Sequence, residues 1–144
     1  MATAKNSIKI NAPIEKVFDF LKPDILPEIW PSLVEVKNIT ELPNGRYSWD
    51  WKYNMAGMNF NGTSENTEVV PNERTVSETT GGIESTITWL FESNDGGTKV
   101  TIVADYTVPV TLVGKLAESV IVRQNQKEGE LILENLKTRM EASK

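Results

Sequence analysis

Neither cysteine nor histidine occurs in these 144 residues. Their absence removes disulfides, thiol nucleophiles, imidazole bases and the usual zinc, copper and haem ligands together. Long apolar runs are missing as well: nothing approaches the roughly 20 residues that cross a bilayer. The opening Met-Ala-Thr-Ala-Lys-Asn-Ser has no apolar core before Ile8, so no secretory signal is expected and the location reads as cytoplasmic. Cations are in deficit, 15 Lys+Arg against 20 Asp+Glu, for a net charge of -5. That balance argues against nucleic acid or anionic lipid as a bulk electrostatic partner, while leaving a peripheral membrane contact open. No phosphate loop, nucleotide fingerprint or calcium loop is present, and no cofactor or metal is expected. Chemistry is left to carboxylates, Lys, Arg, Tyr and hydroxyl groups.

What is present begins with an aromatic row. Residues 47–55 read Tyr-Ser-Trp-Asp-Trp-Lys-Tyr-Asn-Met, so every odd position is aromatic or Met and every even one is polar. Successive strand side chains point to opposite faces, which gives this strand one dry side. Tyr and Trp carry a polar tip on a large apolar body, and such a row suits a core wall or a cavity lining.

The chain length fits one domain over residues 1–144 with one substantial core. Ser7 to Asn11 alternates as a short strand. Asn11-Ala12-Pro13 then offers a capping side chain and a first-turn Pro, and Ile14, Val17, Phe18 and Leu21 form one helical stripe. A second, shorter helix is predicted over Asp24 to Trp30, kept brief by Pro27 and Pro31. From Leu33 to Tyr106 about six strands are predicted, with antiparallel turns at Asn44-Gly45, Gly81-Gly82 and Asn94-Asp95-Gly96-Gly97 and a break at Pro71-Asn72. Ile83, Ser85, Ile87, Trp89 and Phe91 share one parity, as do Val100, Ile102, Ala104 and Tyr106.

Thr111 to Ala142 lacks Pro and is rich in helix formers, enough for one helix of up to about eight turns. Its first half groups Val113, Leu116, Ala117, Val120 and Gln124 on one face, and its second half centres on Ile132, Leu133, Leu136 and Met140. Gly129 lies near the shift, where close packing, a bend or a nearby ligand would account for it. Gln124 faces either the sheet or solvent. Glu128, beside it, is expected in solvent because charged side chains are rarely buried.

In the order strand, two short helices, antiparallel sheet and long C-terminal helix, the chain resembles the START and birch-pollen-allergen superfamily. Within it the chain is similar to the group that holds the polyketide cyclase/dehydrase proteins and an accessory protein of carbon monoxide dehydrogenase. The residues that carry this are Asn11-Ala12-Pro13-Ile14-Glu15-Lys16-Val17-Phe18, Trp30-Pro31, Val70-Pro71-Asn72-Glu73-Arg74, Gly97-Thr98-Lys99-Val100 and Asn135-Leu136-Lys137. The resemblance implies an α+β helix-grip fold: a strongly curved antiparallel sheet of about seven strands wrapped around the C-terminal helix, with a cavity for a hydrophobic small molecule between them. It also places Trp30 near an opening. A Gly-rich loop that the pollen-allergen branch carries between its second and third strands is replaced here by Asn44-Gly45.

The expected ligand-binding wall is Trp49, Trp51, Tyr53, Phe60, Trp89, Phe91 and Tyr106, with Trp30 at the mouth and Val120 and Gln124 on the helix side. No catalytic residue is assigned. The dry parities hold no ionisable group but Tyr; Asp50, Glu84 and Asp105 fall on the wet side, which leaves Glu65, Glu68, Glu73, Glu78 or Glu128 for any acid-base pair. The leading expectation is a binding or carrier module for a lipid-, quinone- or polyketide-like molecule. Its rivals are a polyketide cyclase or dehydratase and an adaptor with a closed cavity. Oligomeric state is not legible from the sequence.

Overall fold

The computed structural model describes residues 2–142. Strand β1 (Ala2–Ile10) leads into helix α1 (Ile14–Phe20), a 3-10 turn over Pro23–Ile25 and the one-turn helix α2 (Leu26–Ile29). Six strands follow: β2 (Leu33–Leu42), β3 (Arg46–Met55), β4 (Met58–Val70), β5 (Arg74–Gly81), β6 (Ser85–Asn94) and β7 (Gly97–Tyr106). A helical turn α3 (Val110–Val113) and a 3-10 turn over Lys115–Ala117 precede the long helix α4 (Glu118–Ala142). All pairings are antiparallel and the strand order is β1-β7-β6-β5-β4-β3-β2, so the chain runs as a meander from β2 to β7 while β1 closes onto β7. This is the seven-stranded helix-grip architecture the sequence implies.

The turns are set by residues that tolerate a left-handed backbone. Asn44 and Gly45 (φ 66° and 74°) join β2 to β3, and Asp95 and Gly96 (φ 46° and 81°) join β6 to β7. The β3–β4 turn at Ala56 and Gly57 has the same geometry, φ 55° and 77°. Ala at such a position carries no composition signal, and the sequence reading passes over it. Asn72 (φ 62°) makes the expected break between β4 and β5.

Two expectations for the helices need correction. Asn11 does not cap α1: the capping position is Pro13, with no side-chain hydrogen bond, and the Asn11 amide instead donates to Glu141 Oε2 of α4 at 2.9 Å. Nor is 111–142 one helix. Gly114 at φ 95° breaks the run, a conformation that costs a side-chain-bearing residue dearly, and the continuous helix starts at Glu118.

Helix α4 lies across the sheet through a tight contact. A Cβ on Gly129 would sit 2.1 Å from Asn6 Nδ2 on β1, so the glycine supports close packing rather than a bend. Asn6 Nδ2 in turn donates to the Gln126 carbonyl, and Asn135 Nδ2 holds the end of α2 through the Ile29 carbonyl at 3.0 Å. Around Leu133, Leu136 and Met140 of α4, the sheet and α1 supply Ile10, Val17, Phe18, Phe91 and Val100, a densely aliphatic core. Thr98 is fully buried there with its hydroxyl donating to the Ala12 carbonyl at 2.8 Å.

Candidate functional site: an aromatic cavity under the C-terminal helix

The other half of the interior is built around the aromatic row. Tyr47, Trp49, Trp51, Tyr53 and Met55 all project from the concave face of β3, as period two requires, and all five line one cavity. Its volume is about 400 Å³, the size of a small-molecule site. Opposite the row, Ile87 and Trp89 of β6 and Ile102, Ala104 and Tyr106 of β7 complete the sheet wall, and α4 closes it with Asn125, Glu128, Gly129 and Ile132. At the far end of the row, Leu21, Lys22 and Pro23 meet Asn44, Gly45 and Pro71. The Lys22 ammonium there stands 5.8 Å from the Phe18 ring and 5.9 Å from the Tyr47 ring, both within cation-π range.

Trp51 takes its pose from a glycine. Gly62 pairs with Trp51 across β3 and β4, and a Cβ at Gly62 would meet Trp51 Cζ2 at 2.3 Å and the Thr80 carbonyl at 2.2 Å. The indole therefore lies against bare backbone, where a side chain would push it into the cavity.

One carboxylate faces this apolar space. Glu128 Oε1 accepts from Trp30 Nε1 at 3.1 Å and from the Tyr53 hydroxyl at 2.5 Å; Oε2 accepts from the Ser32 amide at 2.9 Å and from the Ser32 hydroxyl. Two donors on each oxygen use the full accepting capacity of an ionised carboxylate. The cluster ties α4 to β3 and to the segment after α2. Burial, then the Glu128 charge and hydrogen bond, push the Tyr53 phenol far above its ordinary range and hold it protonated. At the other end of the row, the Tyr106 phenol is also pushed up, mainly by burial, with the Asn125 amide near enough to offset part of the rise.

The sequence-based residues divide into three groups. Trp30, Trp49, Trp51, Tyr53, Trp89 and Tyr106 meet at the cavity. Phe60 and Phe91 are buried in packing rather than on the cavity wall; Phe91 stands edge-on to Phe18 with ring centroids 5.2 Å apart. Val120 and Gln124 are turned to solvent, because the Gly114 break removes Val113 and Leu116 from the helix whose face they were used to define. The inward face of α4 is Ile121, Asn125, Glu128 and Ile132, a spacing of four, three and four. Glu128, expected in solvent, is the residue the sequence reading missed. Its signal was the phase of Ile132, Leu133 and Leu136 carried back toward the start of the helix. Glu65, Glu68, Glu73 and Glu78 are all exposed, and among the described residues no cluster of His, Cys, Asp or Glu has the geometry to hold a metal ion. No helix among the described residues is long and apolar enough to cross a membrane.

Similarity to known proteins follows this architecture. A Thermus thermophilus protein superposes with a TM-score of 0.84 at 20% identity, over 98% of both chains. The Zhui aromatase/cyclase of a Streptomyces species gives 0.75 at 16% identity, over 95% of this chain and 94% of that one. A START superfamily protein of Mycobacterium smegmatis gives 0.73 at 13% identity over the whole of both chains. At such identities the likeness speaks for the fold alone. No curated protein sequence matches this one. The sequence pattern of one family does match, over residues 1–141, and the chain belongs to that family: polyketide cyclase/dehydrase and lipid transport.

Proposed function

We propose that the protein binds and carries a mostly apolar small molecule, of lipid-, quinone- or polyketide-like character, in the cavity between the sheet and α4. The observation that carries this is the cavity itself: about 400 Å³ walled by Trp30, Trp49, Trp51, Tyr53, Trp89 and Tyr106. Apolar contact area of this kind gives most of the affinity of such sites, and a few polar groups give orientation. The family description, which names lipid transport beside cyclase and dehydrase chemistry, supports the same reading.

A cyclase or dehydratase in this cavity would need a group poised to exchange a proton. Glu128 is the carboxylate on the wall, and its four donors hold it as a saturated acceptor rather than a free base. Tyr53, whose proton is held above its usual range, is a poor base as well. Binding is therefore favoured over proton transfer.

Native mass spectrometry of gently purified protein, followed by solvent extraction of any added mass, tests the reading. The expected result is a stoichiometric apolar adduct, or a one-to-one shift with a panel of lipids, quinones and polyketides, that Ala104→Phe abolishes while the protein stays folded. A protein that takes up no member of the panel contradicts it.

A further inference from the structure

Two polar atoms in the aromatic half of the interior have no partner. Trp51 Nε1 and the Tyr106 hydroxyl are buried without a hydrogen bond, in residues 6% and 5% exposed. Both residues line the cavity and belong to the same packed group with Met55, Ile83 and Ile121. An unmade hydrogen bond at a buried donor is costly, and native interiors pair nearly all of them. The contrast within this molecule is direct, since Thr98 in the aliphatic core finds the Ala12 carbonyl and Ser64 and Thr79 bond to each other at 2.7 Å.

An indole N–H can only donate, and a phenol hydroxyl donates readily to oxygen. What these two atoms lack in common is an acceptor. Charge narrows the choice. The lining at this end contains no cation, the Glu128 carboxylate shares the cavity, and Lys22 stands beside Tyr47, four residues or about 13 Å along β3 from Trp51. An anionic head would be placed near a carboxylate and far from the lysine, whereas a neutral oxygen meets no such penalty.

We infer that Trp51 Nε1 and the Tyr106 hydroxyl form the polar subsite of the cavity and receive the carbonyl oxygen of a neutral, otherwise apolar ligand, whose hydrocarbon body extends along the Tyr47–Trp51 row. The inference rests on the binding function proposed above and adds the ligand's polarity and orientation. It makes Trp51 and Tyr106 specificity-determining residues, while Glu128, already saturated by four donors, fixes the wall without contacting the ligand's head.

A matched pair of rigid probes, 9-fluorenone and its hydrocarbon parent fluorene, separates the two ideas. Calorimetric or fluorescence titration of the wild-type protein should show fluorenone bound about tenfold more tightly than fluorene, the worth of one or two modest hydrogen bonds. Tyr106→Phe and Trp51→Phe should each remove most of that preference and leave fluorene affinity within about twofold. The carbonyl stretch of bound fluorenone should fall in frequency in the wild type and recover in Tyr106→Phe, a change that loss of packing alone does not produce. Tyr106→Phe deletes only a hydroxyl, so it keeps the test valid should Trp51→Phe fold poorly. A fluorenone-to-fluorene ratio unaffected by both substitutions, or an unshifted carbonyl band, overturns the subsite while leaving the cavity as a binding site. Failure of both probes to bind overturns the subsite together with the binding function.

Discussion

The two halves of the interior are made from different side chains and end in different states. Around α1 and the C-terminal part of α4, the core is aliphatic: Ile10, Ile29, Val17, Val100, Leu133 and Leu136 are all less than 2% exposed, and none lines the cavity. Around β3 and the start of α4 it is aromatic, with Trp49, Trp51, Phe60 and Tyr106, and no large side chain is shut off so completely. Branched aliphatic groups interdigitate and fill space at crystal-like density. Rings fixed on a pleated strand stand as slabs, and a row of slabs on one curved sheet faces α4 across a gap. Polar atoms follow the same division: paired in the aliphatic half, and left as two unpaired donors in the aromatic half. The first half holds the molecule together, and the second keeps a space inside it.

The difference is broken most severely by removing volume. Leu136→Ala, at a site with no exposure, should cost about 4 kcal/mol by urea unfolding, whereas Ile87→Ala on the cavity wall should cost no more than about 2 kcal/mol, since its neighbours already border open space. Adding volume should reverse the ranking along a single strand. Val100→Phe in the closed half should cost about 3 kcal/mol through overpacking, while Ala104→Phe, two pleats along on the same face, should stay within about 1 kcal/mol of wild type because its ring enters the cavity. Equal costs at the two positions would mean that the cavity is not a space a ring can enter.

Glu128→Ala removes the acceptor of Trp30, Tyr53 and Ser32 and should cost about 2 kcal/mol, with a change of indole fluorescence as Trp30 is released. The alkaline limb of stability reports the same cluster. The Tyr53 phenol binds its proton more tightly in the native protein than at its ordinary pKa of 10.0, so its contribution is complete below about pH 10 and is lost as pH rises beyond it. Tyr106 is shifted in the same direction, so Tyr53→Phe should make the decline above pH 10 shallower without abolishing it. The smallest effect belongs to the surface: Leu116→Ser, at a residue 96% exposed, should alter stability by less than about 0.5 kcal/mol.

How far the sequence speaks differs between these same regions. Strand parity is local, and it placed Trp49, Trp51, Tyr53, Trp89 and Tyr106 on the concave face because a register of two admits no drift. Turn chemistry is local too, and Asn44-Gly45, Asp95-Gly96 and Asn72 fall where their side chains predict. Helix phase is not local in this way. A run of helix formers from 111 to 142 conceals the interruption at Gly114, and an error of one residue in phase sends Val120 and Gln124 inward on paper while Asn125 and Glu128 take those places in the fold. Glu128 also defies the usual rule for charge because its four donors come from Trp30, Ser32 and Tyr53, 75 to 98 residues away in sequence. Whether an aromatic side chain packs or lines a cavity depends on how far the sheet curves from the helix. Phe60 and Phe91 share the chemistry of their neighbours and differ only in that distance.

The central claim, that the aromatic half encloses a space made to be filled, is tested most directly by titrating N-phenyl-1-naphthylamine, an uncharged fluorescent probe, into wild-type protein and Ala104→Phe. The account predicts saturable one-to-one binding to the wild type, lost in Ala104→Phe at unchanged melting temperature. An equal fluorescence rise in both proteins would place the probe on exposed apolar side chains such as Leu116 and contradict it.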